Sequence, residues 1–165
     1  MRLRHKIAQM LIMGFDGLTL EPHNPVVSCL KKEGLGGVIL FDKDLLSNQP
    51  DKNLKTRQQI ARLTQGLNQL SNTLNSHNGR ALPLLIGLDY EGGHVDRLAN
   101  IPGCIKTIAP VEMSALQPQV FSQQVEKMAL ELKNLGFNLN FAPVVDLNLN
   151  SEQGILGKLG RCFSS

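Results

Sequence analysis

A chain of 165 residues, 42% hydrophobic and 19% charged, is long enough for one domain with a sizeable core, and that balance excludes a disordered polypeptide. Its formal net charge is +3, its aromatic content 4% and its Trp count 0. Basic residues are scattered apart from Arg2, Arg4, His5 and Lys6, so the basic stripe with stacking aromatics that marks a nucleic-acid binder is absent, and no nucleic-acid partner is expected.

The opening "MRLRHKIAQMLIMGF" places basic residues before an apolar run, as a signal peptide does. The run is short, Gln9 interrupts it and no small-residue cleavage site follows, so it reads as the start of a cytoplasmic protein. No segment reaches the roughly 18 uninterrupted apolar residues of a membrane span, and no membrane partner is expected. The first strand is expected in "MLIMGF" (10 to 15), and a helix over about 24 to 33. "GLGG" (34 to 37) then precedes the next apolar run, "GVILF" (37 to 41), and reads as a helix-to-strand turn rather than a phosphate cradle. Ile60, Leu63, Leu67, Leu70 and Leu74 recur at steps of three and four, the stripe of an amphipathic helix whose other face carries Arg57, Gln58, Gln65 and Asn72. "LPLLIGLD" (82 to 89) gives a third strand. Val125, Met128, Ala129, Leu132 and Leu135 form a second helical stripe, closed by Gly136 where a helix end favours a residue free to turn left-handed. "LNFAPVVD" (139 to 146) is the fourth strand.

These apolar runs are continuous rather than alternating, which suits strands covered on both faces, and strands alternate with helices. The fold class is therefore α/β with right-handed crossovers, either a doubly wound sheet or a (β/α)8 barrel. No G-x-G-x-x-G follows the first strand, so a dinucleotide fold lacks its fingerprint. A complete barrel takes about 250 residues, so four βα units in one partial domain, 1 to 165, read as the N-terminal half of a (β/α)8 TIM barrel, truncated. Cys29, Cys104 and Cys162 are odd in number and widely spaced, which suggests free thiols in a reducing compartment, with no metal site.

In α/β folds ligands sit at the carboxyl ends of strands, so the residues to weigh are Asp16, Asp42, Asp89 and Asp146. Carboxylates around one rim suit the hydroxyl groups of a sugar. Asp at a strand end also commonly caps the next turn or helix, and capping is expected for Asp16 and Asp42. Asp89 differs, because "GLDYEGGHVDRL" (87 to 98) crowds Glu91, a Gly-Gly pair and Arg97 behind it. The glycines let the backbone turn sharply or a ligand approach, and Arg97 brings a planar fork of donors. Asp89 and Glu91 have the types of a glycosidase pair, which in retaining enzymes stands about 5 to 5.5 Å apart. Carboxylates from one strand reach only one side of a reacting centre, so a catalytic role for that pair is not expected.

"KIAQMLIMGF", "GGVILF", "GLDYEGGHVDRL", "LGFNLNFAPVVDLNLN" and "GKLGRCFSS" together resemble, in order and over nearly the whole chain, the N-terminal part of the barrel domain of glycoside hydrolase family 3. The nearest branch is that of the bacterial β-N-acetylhexosaminidases of cell-wall recycling. The resemblance implies three substrate-binding residues. Asp89 matches the carboxylate that hydrogen-bonds sugar hydroxyls in the −1 subsite, while Arg97 and Arg161 match substrate-binding arginines. Glu91 and the glycines are expected to shape the loop, and Asp146 to serve turn structure. The family commonly has Gln, Arg and Gln where this chain has Tyr90, His94 and Asp96, and Ser where it has Cys162. His94 reads as an exposed polar residue and Cys162 as a tolerated small one.

The same resemblance implies a retaining double displacement, with an Asp nucleophile late in the barrel and a His-Asp acid/base in a K-H-F-P-G-H-G-like stretch. No such stretch occurs in these 165 residues, so no catalytic residue is assigned. The expectation is a fragment of an exo-acting β-N-acetylglucosaminidase that takes a GlcNAc-containing, muropeptide-like sugar without cofactor or metal, is inactive alone, and finds its partner in the missing half of the barrel. A family 3 β-glucosidase fragment and a noncatalytic sugar-binding or assembly fragment are the alternatives.

Overall fold

Each of the four apolar runs contributes one strand to a single parallel sheet. The computed structural model describes residues 3–32, 34–75, 82–148 and 154–163. Its elements are α1 (Leu3–Ala8), β1 (Ile12–Gly14), α2 (Pro25–Lys32), β2 (Gly37–Ile39), α3 (Arg57–Asn75), β3 (Leu85–Leu88), β4 (Tyr90–Gly92), β5 (Val95–Asp96), α4 (Pro110–Ser114), α5 (Pro118–Asn134), β6 (Leu139–Asn140) and α6 (Ile155–Lys158). Glu33, at the expected end of α2, lies outside the described residues, as does the side chain of Leu74.

The sheet order is β1-β2-β3-β6 with every pair parallel. Each crossover steps to the next position in the same direction. A doubly wound sheet reverses its strand order partway, whereas a barrel keeps winding one way, so the observed order is that of consecutive βα units of a barrel. Register fixes the two faces. Met13, Val38 and Ile86 lie on one rung, and Val38 and Ile86 are fully buried. They pack with Val26, Leu30, Ile60, Leu63 and Leu67 of α2 and α3 to make the core. The neighbouring rung, Ile12, Gly37 and Leu85, points the opposite way, and Ile12 and Leu85 are 41% and 40% exposed. The expectation of strands covered on both faces therefore holds on the helix side only, because no described element lies over the inner face.

α2 begins as its sequence dictates: Asn24 accepts from the Val26 amide at 3.0 Å, with Pro25 as the first helical residue. α5 ends in a Schellman turn, the Phe137 amide reaching the Leu132 carbonyl at 3.0 Å and Gly136 adopting φ +85°. The expected α5 stripe needs a correction. Met128, Leu132 and Leu135 are buried, but Val125 and Ala129 are exposed. Glu131 takes the inward position instead, where it receives Arg57 and the Ile105 amide, and this rotates the buried face by about one residue.

Candidate functional site

The carboxyl ends of β2 and β3 deliver Asp42 and Asp89 side by side, and a hairpin sends Arg97 back between them. That hairpin, β4 against β5, pairs Tyr90 with Asp96 and Gly92 with Val95. Asn140 holds its first residue from the neighbouring strand, accepting from the Tyr90 amide and donating to the Tyr90 carbonyl, both at 3.0 Å. At the turn, Gly92 and Gly93 adopt φ +100° and +59°. A Cβ on Gly92 would stand 2.2 Å from the Ile108 carbonyl oxygen, and one on Gly93 2.7 Å from the Ala109 Cβ. Of the two uses expected for this pair, the structure shows the sharp turn, and the Cβ direction of each glycine is filled by residues 107–109.

Arg97 organises the rim. Its Nη2 donates to Asp89 Oδ2 at 3.1 Å, and its Nη1 stands 3.5 Å from Asp42 Oδ1, an ion-pair distance without hydrogen-bond geometry. The guanidinium also lies over the Phe41 ring, 5.3 Å from the centroid. Asp89 keeps the parity of Leu85 and Gly87 along its strand and is 24% exposed, with Oδ1 unengaged among the described residues. Asp42 Oδ1 and Arg97 Nε are buried without a hydrogen-bond partner. Such atoms carry a desolvation cost, offset at Asp42 by the facing Arg97 charge.

Arg161 arrives from the segment after α6 and grips Glu91 with two bonds, Nε to Oε2 at 2.8 Å and Nη2 to Oε1 at 2.7 Å. Glu91 is almost entirely buried, and its bonds hold the Arg161 guanidinium above its usual range, with Asp89 acting in the same direction. The three residues expected to bind substrate are thus joined in one field: Asp89 and Arg97 in contact, and Arg161 two residues further along on Glu91. Beneath them Asp96 is buried against the Thr107 hydroxyl and the Leu98 amide, and burial pushes its carboxyl above the ordinary range.

The other expectations divide. Asp42 does not cap; it is the second carboxylate on Arg97, a role that its position at a strand end allowed but did not announce. Asp16 does not cap either, being highly exposed and 3.1 Å from Lys52. That capping falls to amides: Asn24 starts α2, and the buried Asn53 ties the Phe15 and Gly17 carbonyls to the Phe41 amide. Asp146 is exposed in an irregular stretch without a turn. His94 is exposed and Cys162 buried. Among the described residues no group of three or more His, Cys, Asp or Glu is placed to hold a metal ion, and no helix is long and apolar enough to cross a membrane.

Comparison with known proteins fits this geometry. A family model described as the glycosyl hydrolase family 3 N terminal domain matches residues 2–165. The chain is 31% identical over 144 residues to a β-hexosaminidase of Alkalilimnicola ehrlichii, covering 83% of this chain and 35% of that protein. It is 30% identical over 142 residues to β-hexosaminidase A of Pseudoalteromonas piscicida, covering 84% and 21%. The solved structure of a glycoside hydrolase family 3 β-N-acetylglucosaminidase from Paenibacillus sp. str. FPU-7 superposes with a TM-score of 0.78 at 27% identity, over 97% of this chain and 29% of that one. The chain therefore spans between 21% and 35% of the length of these two curated relatives.

Proposed function

The chain belongs to glycosyl hydrolase family 3, and from that premise we propose that it is the sugar-binding portion of a cytoplasmic β-N-acetylhexosaminidase domain occupying residues 1 to 165. Asp89, Arg97 and Arg161 engage the terminal GlcNAc of a muropeptide-like substrate during peptidoglycan recycling. The observation that carries this reading is Asp89 itself: one carboxylate oxygen is held by Arg97 and the other is unengaged at the carboxyl end of a parallel strand. A carboxylate fixed by an arginine is oriented before any ligand arrives, so binding loses little side-chain entropy. Its open oxygen accepts strongly from a sugar hydroxyl.

Retaining hydrolysis requires a nucleophile and a proton donor on opposite sides of the anomeric carbon. In our reading both come from barrel segments outside these 165 residues, which act as this chain's partner. Glu91 cannot serve, since both its oxygens are taken by Arg161. Two measurements test the reading. The chain incubated with 4-nitrophenyl N-acetyl-β-glucosaminide gives no turnover above blank; release of nitrophenol would show that it contains its own catalytic groups. Calorimetric titration with GlcNAc gives measurable binding that Asp89→Ala weakens by about tenfold or more, the effect of losing a charged hydrogen-bond acceptor. Unaltered affinity in that variant removes Asp89 from the site.

A further inference from the structure

Two arginines of this chain meet carboxylates in different ways. Arg161 faces Glu91 and takes both of its oxygens, at 2.8 and 2.7 Å. That two-bond pairing is the arrangement a guanidinium fork and a carboxylate favour. Arg97 does not adopt it. Its Nη2 donates to Asp89 Oδ2 at 3.1 Å, its Nη1 lies 3.5 Å from Asp42 Oδ1, and Asp89 Oδ1 is unengaged among the described residues. The difference between the two arginines is that Arg97 has a second carboxylate on its other side.

Asp42 is fixed there by its backbone. Asn53 accepts from the Phe41 amide at 3.1 Å, the Asn53 amide donates to the Phe41 carbonyl at 2.9 Å, and the Lys52 amide donates to the Asp42 carbonyl at 3.2 Å. The same segment sets the Phe41 ring against the guanidinium, 5.3 Å from centroid to carbon. Asp42 Oδ1 is buried, and among the described residues no hydrogen bond reaches it, so the Arg97 charge is what offsets its desolvation. The attraction is reciprocal and draws the Nη1 end of Arg97 away from Asp89. It also leaves one positive charge shared by two carboxylates, so Asp89 keeps the negative character that makes it a strong acceptor.

We propose that Asp42 is a positioning residue of the sugar site: by competing for Arg97 it prevents the two-bond pairing on Asp89 and so keeps Asp89 Oδ1 open to a sugar hydroxyl. This inference rests on the sugar-binding reading of Asp89, and its test separates the two. GlcNAc is titrated calorimetrically into the full chain, Asp42→Asn and Asp42→Ala. Both substitutions are expected to weaken binding by about fivefold, the margin between a hydrogen bond to a charged acceptor and one to a neutralised acceptor. Packing alone would spare Asp42→Asn, which keeps the size of the side chain. A second readout needs no sugar: the Arg97 Nε–Hε resonance of the free chain is expected to move in Asp42→Asn as the guanidinium closes on Asp89.

An affinity for GlcNAc within about twofold of the parent in Asp42→Asn, or an Arg97 signal that stays at its parent position, overturns the positioning role. Asp89 keeps its place in that event if Asp89→Ala still weakens binding. Loss of affinity in Asp42→Ala but not in Asp42→Asn also overturns it, by making Asp42 a packing residue. Failure of the unsubstituted chain to bind GlcNAc overturns both readings.

Discussion

Arg97 and Arg161 perform different physical tasks although both meet carboxylates. Arg97 stands between Asp42 and Asp89 and lies on Phe41, so it fixes the orientation of a carboxylate that retains an open oxygen. Arg161 saturates Glu91, both of whose oxygens it occupies, and its first effect is on stability. Arg161→Ala leaves a carboxylate that is 3% exposed without its counter-charge, which is expected to destabilise by about 3 kcal/mol or more; urea denaturation measures it, and a loss under about 1 kcal/mol would show that the pair is dispensable. Asp96 offers a pH test. Burial raises its folded pKa above the unfolded value, so the folded state holds the proton more tightly. Its contribution is fully present below the unfolded value of about 3.9 and is lost as pH rises through the folded one. Asp96→Asn removes that titration while keeping an acceptor for the Leu98 amide and a donor for Thr107. The stability of the unsubstituted chain relative to this variant should fall as pH climbs from about 4; a difference that grows over the same range would reverse the sign. The resemblance places Gln where Asp96 stands, and a neutral amide is what the burial favours.

The elements that carry the site are short, and their geometry depends on a few backbone positions. β4 and β5 form a hairpin only because Gly92 and Gly93 take left-handed φ values under the 107–109 backbone. At Gly136 the φ of +85° is joined by a second restriction, since a Cβ would meet Thr64 Oγ1 at 2.4 Å. That hydroxyl donates to the Leu135 carbonyl at 2.8 Å and locks α5 to α3. Gly136→Ala is expected to cost about 1 to 2 kcal/mol in backbone strain alone, plus the loss of that lock, and to lower Tm by about 4 °C or more at this chain length. A calorimetric Tm within about 1 °C of the parent would contradict it. Strand positions, both long helices and Gly136 were legible in the sequence, because period and glycine placement are local signals. The hairpin was not, since a charged, glycine-rich turn carries no hydrophobic alternation. Nor were the clasps of Asn53, Asn138 and Asn140, whose amides bond backbone in or beside strands distant in sequence.

Across the whole molecule the sequence carries the alternation of strands and helices but neither the order of the strands nor their long-range electrostatic pairing. Four apolar runs separated by helical segments admit two architectures; the uninterrupted order β1-β2-β3-β6 selects the barrel type. Asp89 and Arg97 stand out as site candidates because they are close in sequence, whereas Asp42 resembles a cap, since nothing local reveals which arginine a strand-end carboxylate will meet. Glu91 and Arg161, 70 positions apart, illustrate the same limit. The inner face, where Ile12, Leu85 and Phe141 are each about 40% exposed, lies on the side of the sheet away from the helices and below the rim that Asp89 occupies. The proposed function depends on a sugar docking at that rim. The direct measurement is amide chemical-shift mapping of the 165-residue chain during titration with GlcNAc. Sugar docking at the rim predicts saturable shifts concentrated at Asp89, Arg97 and the turn bearing Arg161, and lost in Asp89→Ala. Shifts confined to other surfaces, or a response that persists undiminished in that variant, would contradict it.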